Sequence, residues 1–393
     1  MKVLVIHNEY KQRGGEYVCF CAHVALLRKF GHRVITYSHD NAEIESYSLF
    51  EKLWFPFNTA YSRETYRELR KIVAEERPDV AHVHNVFPLL SPSVYQALAD
   101  GGIPIVQTVH NFRFMCPNGL FYTHTQICER CKYGNTLHAV LRRCYRNSFV
   151  LSLVYALTIG LHRKRGTFRL IDRYIALTEF GASKLAESGV TTRDRIRVLG
   201  NFLPDPLPTL GSETGRLPYV LYLGRVALEK GISVLIEALA THGRLLLKIA
   251  GDGPQLQSLQ ALVHRLGLSS RVEFLGRVTG ETKQRLLREA TALTLPSVCY
   301  ENFPVTILES FAVATPVIAS DIGSIPYLVK HERNGLLFGP SDSRALGDAL
   351  LELTTDPSRA LEMGRKGRET VDALYTSNVH YNQLMRIYQE IAA

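Results

Sequence analysis

The 393-residue chain has no run of about 18 apolar residues, so no segment is expected to cross a bilayer as a helix. It has no G-x-G-x-x-G fingerprint, which weighs against a nicotinamide-dependent oxidoreductase, and its one early glycine pair, Gly14-Gly15, comes without a Walker lysine. No DxD-type carboxylate pair is evident. No nucleic-acid motif or interleaving of basic and aromatic residues appears, so no nucleic acid is expected as partner. A leader peptide is not expected either, because Met1-Lys2 runs directly into VLVIHN, a buried-strand sequence ending in polar residues. The expected location is therefore cytoplasmic.

What is present is an ordinary globular composition, 46% apolar and 21% charged, and a length that calls for two domains. The charge is uneven. Residues 1–208 carry 27 Lys/Arg against 18 Asp/Glu, whereas residues 209–393 carry 19 against 19, so the whole net charge of +9 lies in the first half. Such an excess is either a soluble basic surface or an attraction to anionic lipid or an anionic acceptor, which would make the protein peripheral on the inner membrane face.

The stretch 295–329, LPSVCYENFPVTILESFAVATPVIASDIGSIPYLV, organises the second half. It reads as the end of a buried strand, a loop, a helix with Pro304 in its first turn, and a further strand beginning at Pro316. Glu301 before the helix and Glu309 inside it flank free N–H groups carrying the positive helix-end charge. That layout suits an anion with hydroxyls on both sides, as in a nucleotide-sugar; the plain alternative is a surface helix residue and a loop charge.

From the start, Lys2 to His7 reads as a strand, NEYKQRGGEY as a loop in which Gly14 and Gly15 either approach a phosphate or merely turn, Val18 to Phe30 as a helix, and Arg33 to Ser38 as a strand. A charged helix spans Glu64 to Arg77. Two more strands end at His84 and at His110-Asn111, so His7, His84 and His110 all fall at carboxyl ends of strands, where open parallel sheets bind ligands; singly, each is as readily a structural histidine. Cys116, Cys128, Cys131 and Cys144 follow with a C-x2-C pair at their centre. They are expected to hold a structural zinc or to be ordinary thiols. Cys19, Cys21 and Cys299 show no grouping and are expected to pack. Phe149 to Leu161 is an apolar run with basic flanks, read as a core helix in preference to an interfacial one. Asn201 to Gly215 is the expected linker.

The second half repeats the strand–helix rhythm. After Tyr219 to Tyr222 comes GRVALEKG, in which Gly224 and Gly231 permit close approach and Arg225 and Lys230 supply charge for a diphosphate; the alternative is a solvated basic turn. IAGDGP, with Gly253, and LGRV, with Gly276, Arg277 and Val278, are further strand-to-loop transitions. Alternating elements in both halves predict an α/β protein of two doubly wound, Rossmann-like domains.

With YLGRVALEKG, IAGDGP, VEFLGRV, ENFPVTILE and NGLLF in order, the chain resembles the family 4 glycosyltransferases, retaining enzymes of the GT-B fold, in which the two domains face a central cleft. The resemblance implies an acceptor-side domain at 1–205, joined by a helix near residues 375–393 that crosses back onto it, and a donor-binding domain at 206–374. It implies that Arg225 and Lys230 clamp the donor's diphosphate, that Glu309 binds ribose, and that Glu301 with Asn302, Phe303, Pro304 and Val305 holds the transferred sugar. Gly253 belongs to the donor site, Gly276, Arg277 and Val278 border the base, Gly15 closes over the phosphates, and His110 lies beside the sugar. The expected activity is retaining transfer of a hexose, glucose by what is common in the family, from a UDP-sugar to a glycan or lipid-linked acceptor in exopolysaccharide assembly, by front-face attack and with no catalytic metal or other required cofactor. An epimerase of the same fold and a non-catalytic sugar-nucleotide sensor are the alternatives.

Overall fold

The computed structural model describes residues 1–11, 14–210, 216–242 and 245–392. The chain forms two compact units, one of Met1–Thr123, Cys128–Asn201 and Ser377–Ala393, the other of His124–Ile127 and Phe202–Thr376. The linker expected at Asn201–Gly215 is irregular through Leu210, and its last five residues lie outside the described residues.

The first unit is built on strands β1 (Lys2–Glu9), β2 (Arg33–Asp40), β3 (Val80–Asn85), β4 (Ile105–Val109), β7 (Arg173–Ala176) and β8 (Ile196–Val198), in the order β2-β1-β3-β4-β7-β8. Between β4 and β7 in sequence come the two-residue strands β5 (Tyr122–Thr123) and β6 (Gln126–Ile127), the latter within the segment assigned to the other unit. Every pairing in the six-stranded sheet is parallel. Val3, Leu4, Val5 and Ile6 are fully buried, as a strand covered on both faces requires. The helix Ser377–Gln389 completes this unit: Leu384, Ile387 and Tyr388 pack in one core with Val3, Val5, Phe20 and Leu27. It starts two residues later than expected, because Tyr375 caps the preceding helix Pro357–Leu374.

The second unit holds β9 (Leu217–Leu223), β10 (Leu246–Ala250), β11 (Val272–Gly276), β12 (Ala290–Leu295), β13 (Val317–Ser320) and β14 (Gly335–Phe338), ordered β11-β10-β9-β12-β13-β14 and all parallel. Each sheet therefore reverses its strand order once, between β1 and β3 in the first and between β9 and β12 in the second. The crevice at such a reversal, beyond the carboxyl ends, is where doubly wound sheets bind ligands.

Three local expectations are corrected. Phe149–Lys164 is a helix, but not a core helix: Val154, Tyr155 and Ile159 are buried, while Phe149, Val150 and Leu157 are exposed, because its neighbours cover only one face. Cys21 is exposed on the solvent side of the helix Gly15–Lys29, whereas Cys19 and Cys299 pack as expected. Gly15 is the first residue of that helix and not a loop residue, so of the pair only Gly14 precedes it, as N-cap.

Candidate active site

In the second unit, the chain leaves β9 through Arg225, makes a short 3-10 turn at Leu228–Lys230 and enters the helix Ile232–Thr241. Gly231 joins the two with φ +64°, and a Cβ there would lie 2.0 Å from the Pro296 carbonyl oxygen, so only glycine lets this turn press against the loop after β12. The Val298 N–H donates to the Glu229 carbonyl at 3.0 Å, fixing that contact.

The contact brings Lys230 to Glu301, Nζ to Oε1 at 2.6 Å, and Ser297 Oγ donates to the same oxygen at 2.6 Å. Burial would raise the Glu301 carboxyl, but the Lys230 charge and the hydrogen bonds from Lys230 and Ser297 outweigh it and hold the group below the ordinary carboxylate range. Burial would likewise lower Lys230, yet Glu301 holds it above the ordinary lysine range. Both stay ionised at neutral pH. Arg225 pairs with the buried Glu229, and the Tyr222 hydroxyl donates to the Arg225 carbonyl at 2.7 Å.

The helix after this loop spans Val305–Ala312. Pro304 is its N-cap and not a residue of the first turn, since its ψ of 98° is extended; no side-chain hydrogen bond caps the helix. Phe303 is buried against Tyr375, ring centroids 5.9 Å apart, and fixes where the helix begins. Glu309 lies inside the helix and accepts from Lys283 Nζ at 2.7 Å. Sequence reasoning missed Lys283, Ser297 and Glu229; a lysine on a charged helix carries no local mark of its partner.

The neighbouring loops are laced to this one. The Val226 N–H donates to the Asp252 carbonyl at 2.9 Å, and the Gly251 N–H to the Gly276 carbonyl at 2.7 Å. A Cβ on Gly253 would stand 2.3 Å from the Val226 carbonyl oxygen, so the loop after β10 can approach only as glycine. Arg277 and Val278 follow directly on the end of β11, Arg277 exposed and Val278 half-buried.

In the first unit, the strand-end histidines do come together, as part of a larger group. His84 Nδ1 is 2.8 Å from His110 Nε2, the His82 and His84 rings stack at 4.5 Å, and His23 Nε2 is 2.6 Å from His380 Nε2. His82 is further held by the Tyr388 hydroxyl at 2.6 Å and Thr108 Oγ1 at 2.7 Å. Burial, reinforced by mutual repulsion, pushes His82, His84, His110 and His380 well below 6.5 and His7 and His23 to about 4. All six are neutral imidazoles at physiological pH. The H-V-H spacing of β3, which sends two rings to one face, was the available signal for His82.

Glu16 was also missed. It occupies the first turn of the helix Gly15–Lys29, with Oε1 3.9 Å from His7 Nδ1 and Oε2 accepting from Asn111 Nδ2 at 3.2 Å. That bond ties the Gly15 segment to the loop carrying His110. Burial pushes the Glu16 carboxyl up to about 8, against the pull of Arg113 and the Asn111 hydrogen bond. Arg113 is itself buried over Tyr155 and Tyr145, 4.8 and 5.3 Å from their centroids.

The four clustered cysteines line one small cavity, together with Asn118, His138 and Arg142. All are free thiols. Among the described residues no group of three or more His, Cys, Asp or Glu side chains is arranged to hold a metal ion.

Residues 14–205 match the family described as Glycosyltransferase Family 4, and residues 212–370 match Glycosyl transferases group 1. An uncharacterized glycosyltransferase of Methanocaldococcus jannaschii is 40% identical over 366 residues, covering 88% of each chain. An exopolysaccharide phosphotransferase of Streptomyces coelicolor is 30% identical over 57% of this chain; that alignment spans only 24% of the larger protein. Among solved structures, Anabaena HepE in complex with UDP superposes with a TM-score of 0.73 at 17% identity, covering 99% of this chain and 100% of HepE. Sucrose-phosphate synthase of Thermosynechococcus elongatus gives 0.72 at 21% identity, covering 99% and 98%. Both show the same two-sheet fold. With both halves matched in order and a relative aligned over nearly its whole length, the chain belongs to the glycosyltransferases that join a Family 4 domain to a group 1 domain.

Proposed function

We propose that this glycosyltransferase moves a hexose, glucose first among candidates, from a UDP-sugar to a glycan or lipid-linked acceptor at a membrane surface during polysaccharide assembly, with retention at the anomeric carbon. The observation that carries the reading is the Lys230–Glu301 pair at the strand-order reversal of the second sheet, beside an uncapped helix start and Arg225. As the sugar–phosphate bond breaks, negative charge grows on the departing diphosphate. Lys230, the outward donors of Arg225 and the helix N–H groups answer that charge, and turnover without added divalent metal is expected. Glu301 and Glu309 stand on either side for sugar and ribose hydroxyls. UDP and UDP-glucose are ligands of HepE, and that likeness supports uridine as the base.

The test is incubation of the purified chain, without added metal, with UDP-, GDP- and ADP-sugars while nucleotide release and the anomeric form of the freed sugar are followed. Selective UDP release with the original anomer supports the reading. Release of another nucleotide, or of the opposite anomer, overturns its donor or its stereochemistry.

The structural zinc belongs to the same reading. Cys116, Cys128, Cys131 and Cys144 open on one cavity, and four thiols are a donor set that a structural zinc takes. Burial and the neighbouring thiols push Cys131 up to about 12, so its thiol stays protonated until a cation claims it. About one zinc per chain in protein purified without chelator, lost in Cys131→Ser, supports the site; four titratable thiols with no metal overturn it.

A further inference from the structure

The helix Leu49–Ala60, unremarked in the sequence, turns its apolar side outward. Leu49, Phe50, Leu53, Trp54 and Phe57 recur at helical spacing on one face and are 88, 67, 70, 46 and 63% exposed. A solvent-facing stripe on a surface helix is normally polar. This helix packs on Phe149–Lys164, which in turn packs on Leu137–Leu141, and each of these also exposes apolar residues: Val150, Leu157 and Leu161 on the one, Leu137 and Leu141 on the other. Three successively packed helices of the first unit thus expose apolar side chains.

The helix Leu49–Ala60 carries one exposed acid, Glu51, beside one exposed base, Lys52, whereas the charge along the other two helices has one sign. From Arg130 to Ile171 the sequence has nine Lys/Arg and no Asp or Glu. Arg143 and Arg146 stand exposed at the start of the helix Phe149–Lys164, and Lys164 and Arg165 stand exposed at its end. Exposed apolar side chains with cations on the helix beside them match the interface of an anionic bilayer, into which the first would dip while the second meet lipid phosphates. No helix among the described residues is long and apolar enough to cross a membrane, so the geometry is that of lying on the surface.

We infer that the helices Leu49–Ala60 and Phe149–Lys164 form a docking face that inserts Leu49, Phe50, Leu53, Trp54 and Phe57 into the headgroup region of anionic membranes. This rests on the membrane-located acceptor proposed above and names the surface that meets the membrane. It is independent of the donor chemistry.

Trp54 is the sole tryptophan of the chain and sits in the proposed contact, so its emission reports insertion directly. The full chain is mixed with phosphatidylglycerol/phosphatidylcholine vesicles and with pure phosphatidylcholine vesicles; flotation and Trp54 emission are read, and UDP affinity is measured alongside. The expected result is co-flotation with the anionic vesicles that weakens with salt, and a shift of Trp54 emission to shorter wavelength. Leu53→Asp, an exposed position outside the nucleotide site, should weaken vesicle binding roughly tenfold or more and leave UDP affinity unchanged. Arg143→Glu with Arg146→Glu should weaken it through charge alone. No vesicle binding with normal UDP affinity overturns the inference. So does binding that leaves the Trp54 emission unmoved, or a dimer in solution that Leu53→Asp splits, which would make a second copy the partner. Vesicle binding without UDP affinity would instead overturn the donor reading.

Discussion

Lys230 Nζ and Glu301 Oε1, 2.6 Å apart, belong to loops that follow neighbouring strands β9 and β12 but lie 71 residues apart in the chain. The pair closes the point at which the second sheet reverses its strand order. Each residue keeps the other ionised, so a cation and a carboxylate stand together at that reversal.

Lys230→Ala should therefore do two things. It removes a donor aimed at the developing diphosphate charge, for which a fall in kcat of roughly 100-fold or more is expected. It also leaves Glu301 buried without its cation, so the carboxyl should rise and the pH dependence of the residual activity should move to higher pH. Steady-state rates from pH 5 to 9 check both; wild-type turnover in the variant would remove Lys230 from the mechanism.

Glu309→Ala should act on binding before chemistry. A hydrogen bond to a charged group contributes about 1.5–3 kcal/mol, so UDP affinity measured calorimetrically should drop by roughly tenfold or more. Lys283→Ala should lose less, because Lys283 donates to Glu309 and on the proposed ribose contact would act only by orienting it. Unchanged affinity for free UDP in Glu309→Ala would contradict the ribose contact.

The candidate residues of the second unit were legible because glycine, charge and proline mark the segments that carry them: GRVALEKG and ENFPVTILE single out Arg225, Lys230, Glu301 and Glu309 as candidates with no need of partners. What escaped were residues defined by whom they meet. Ser297, Lys283 and Glu229 have ordinary surroundings in the chain and gain meaning only from contacts 4 to 69 residues away. The helix Leu49–Ala60 escaped for the opposite reason. Its periodicity is plain, but periodicity cannot tell a buried stripe from an exposed one, and Pro56 inside it reads as a break. The histidine group shows both cases: strand ends pointed to His7, His84 and His110, while His23 and His380, 357 residues apart, required the returning helix.

The six histidines set the acid side of the stability profile. Each is held neutral in the fold below its ordinary 6.5 and becomes protonated in the unfolded chain first. Their contribution should be fully present above about 6.5 and be lost as pH falls towards 4, with each histidine adding a slope of at most about 1.4 kcal/mol per pH unit. Urea unfolding between pH 4.5 and 7.5 measures it. A flat profile over that range would mean that the cluster is already charged in the fold.

Glu16 gives the opposite slope. Its carboxyl titrates at about 8 in the fold against an ordinary 4.5, so its contribution is fully present below about 4.5 and is lost as pH rises through about 8. Between 4.5 and 6.5 the histidines oppose it, and the clean window is pH 6.5 to 8. There the wild-type chain should lose stability with rising pH, while Glu16→Gln, neutral at every pH and able to keep an oxygen towards Asn111, should hold its stability level. Equal slopes in the two proteins would place the Glu16 charge in solvent. The same measurement bears on the reaction course. A carboxyl that keeps its proton at neutral pH donates a hydrogen bond and is a poor nucleophile, so a confirmed value near 8 leaves Glu16 unsuited to a double displacement and consistent with front-face attack by the acceptor.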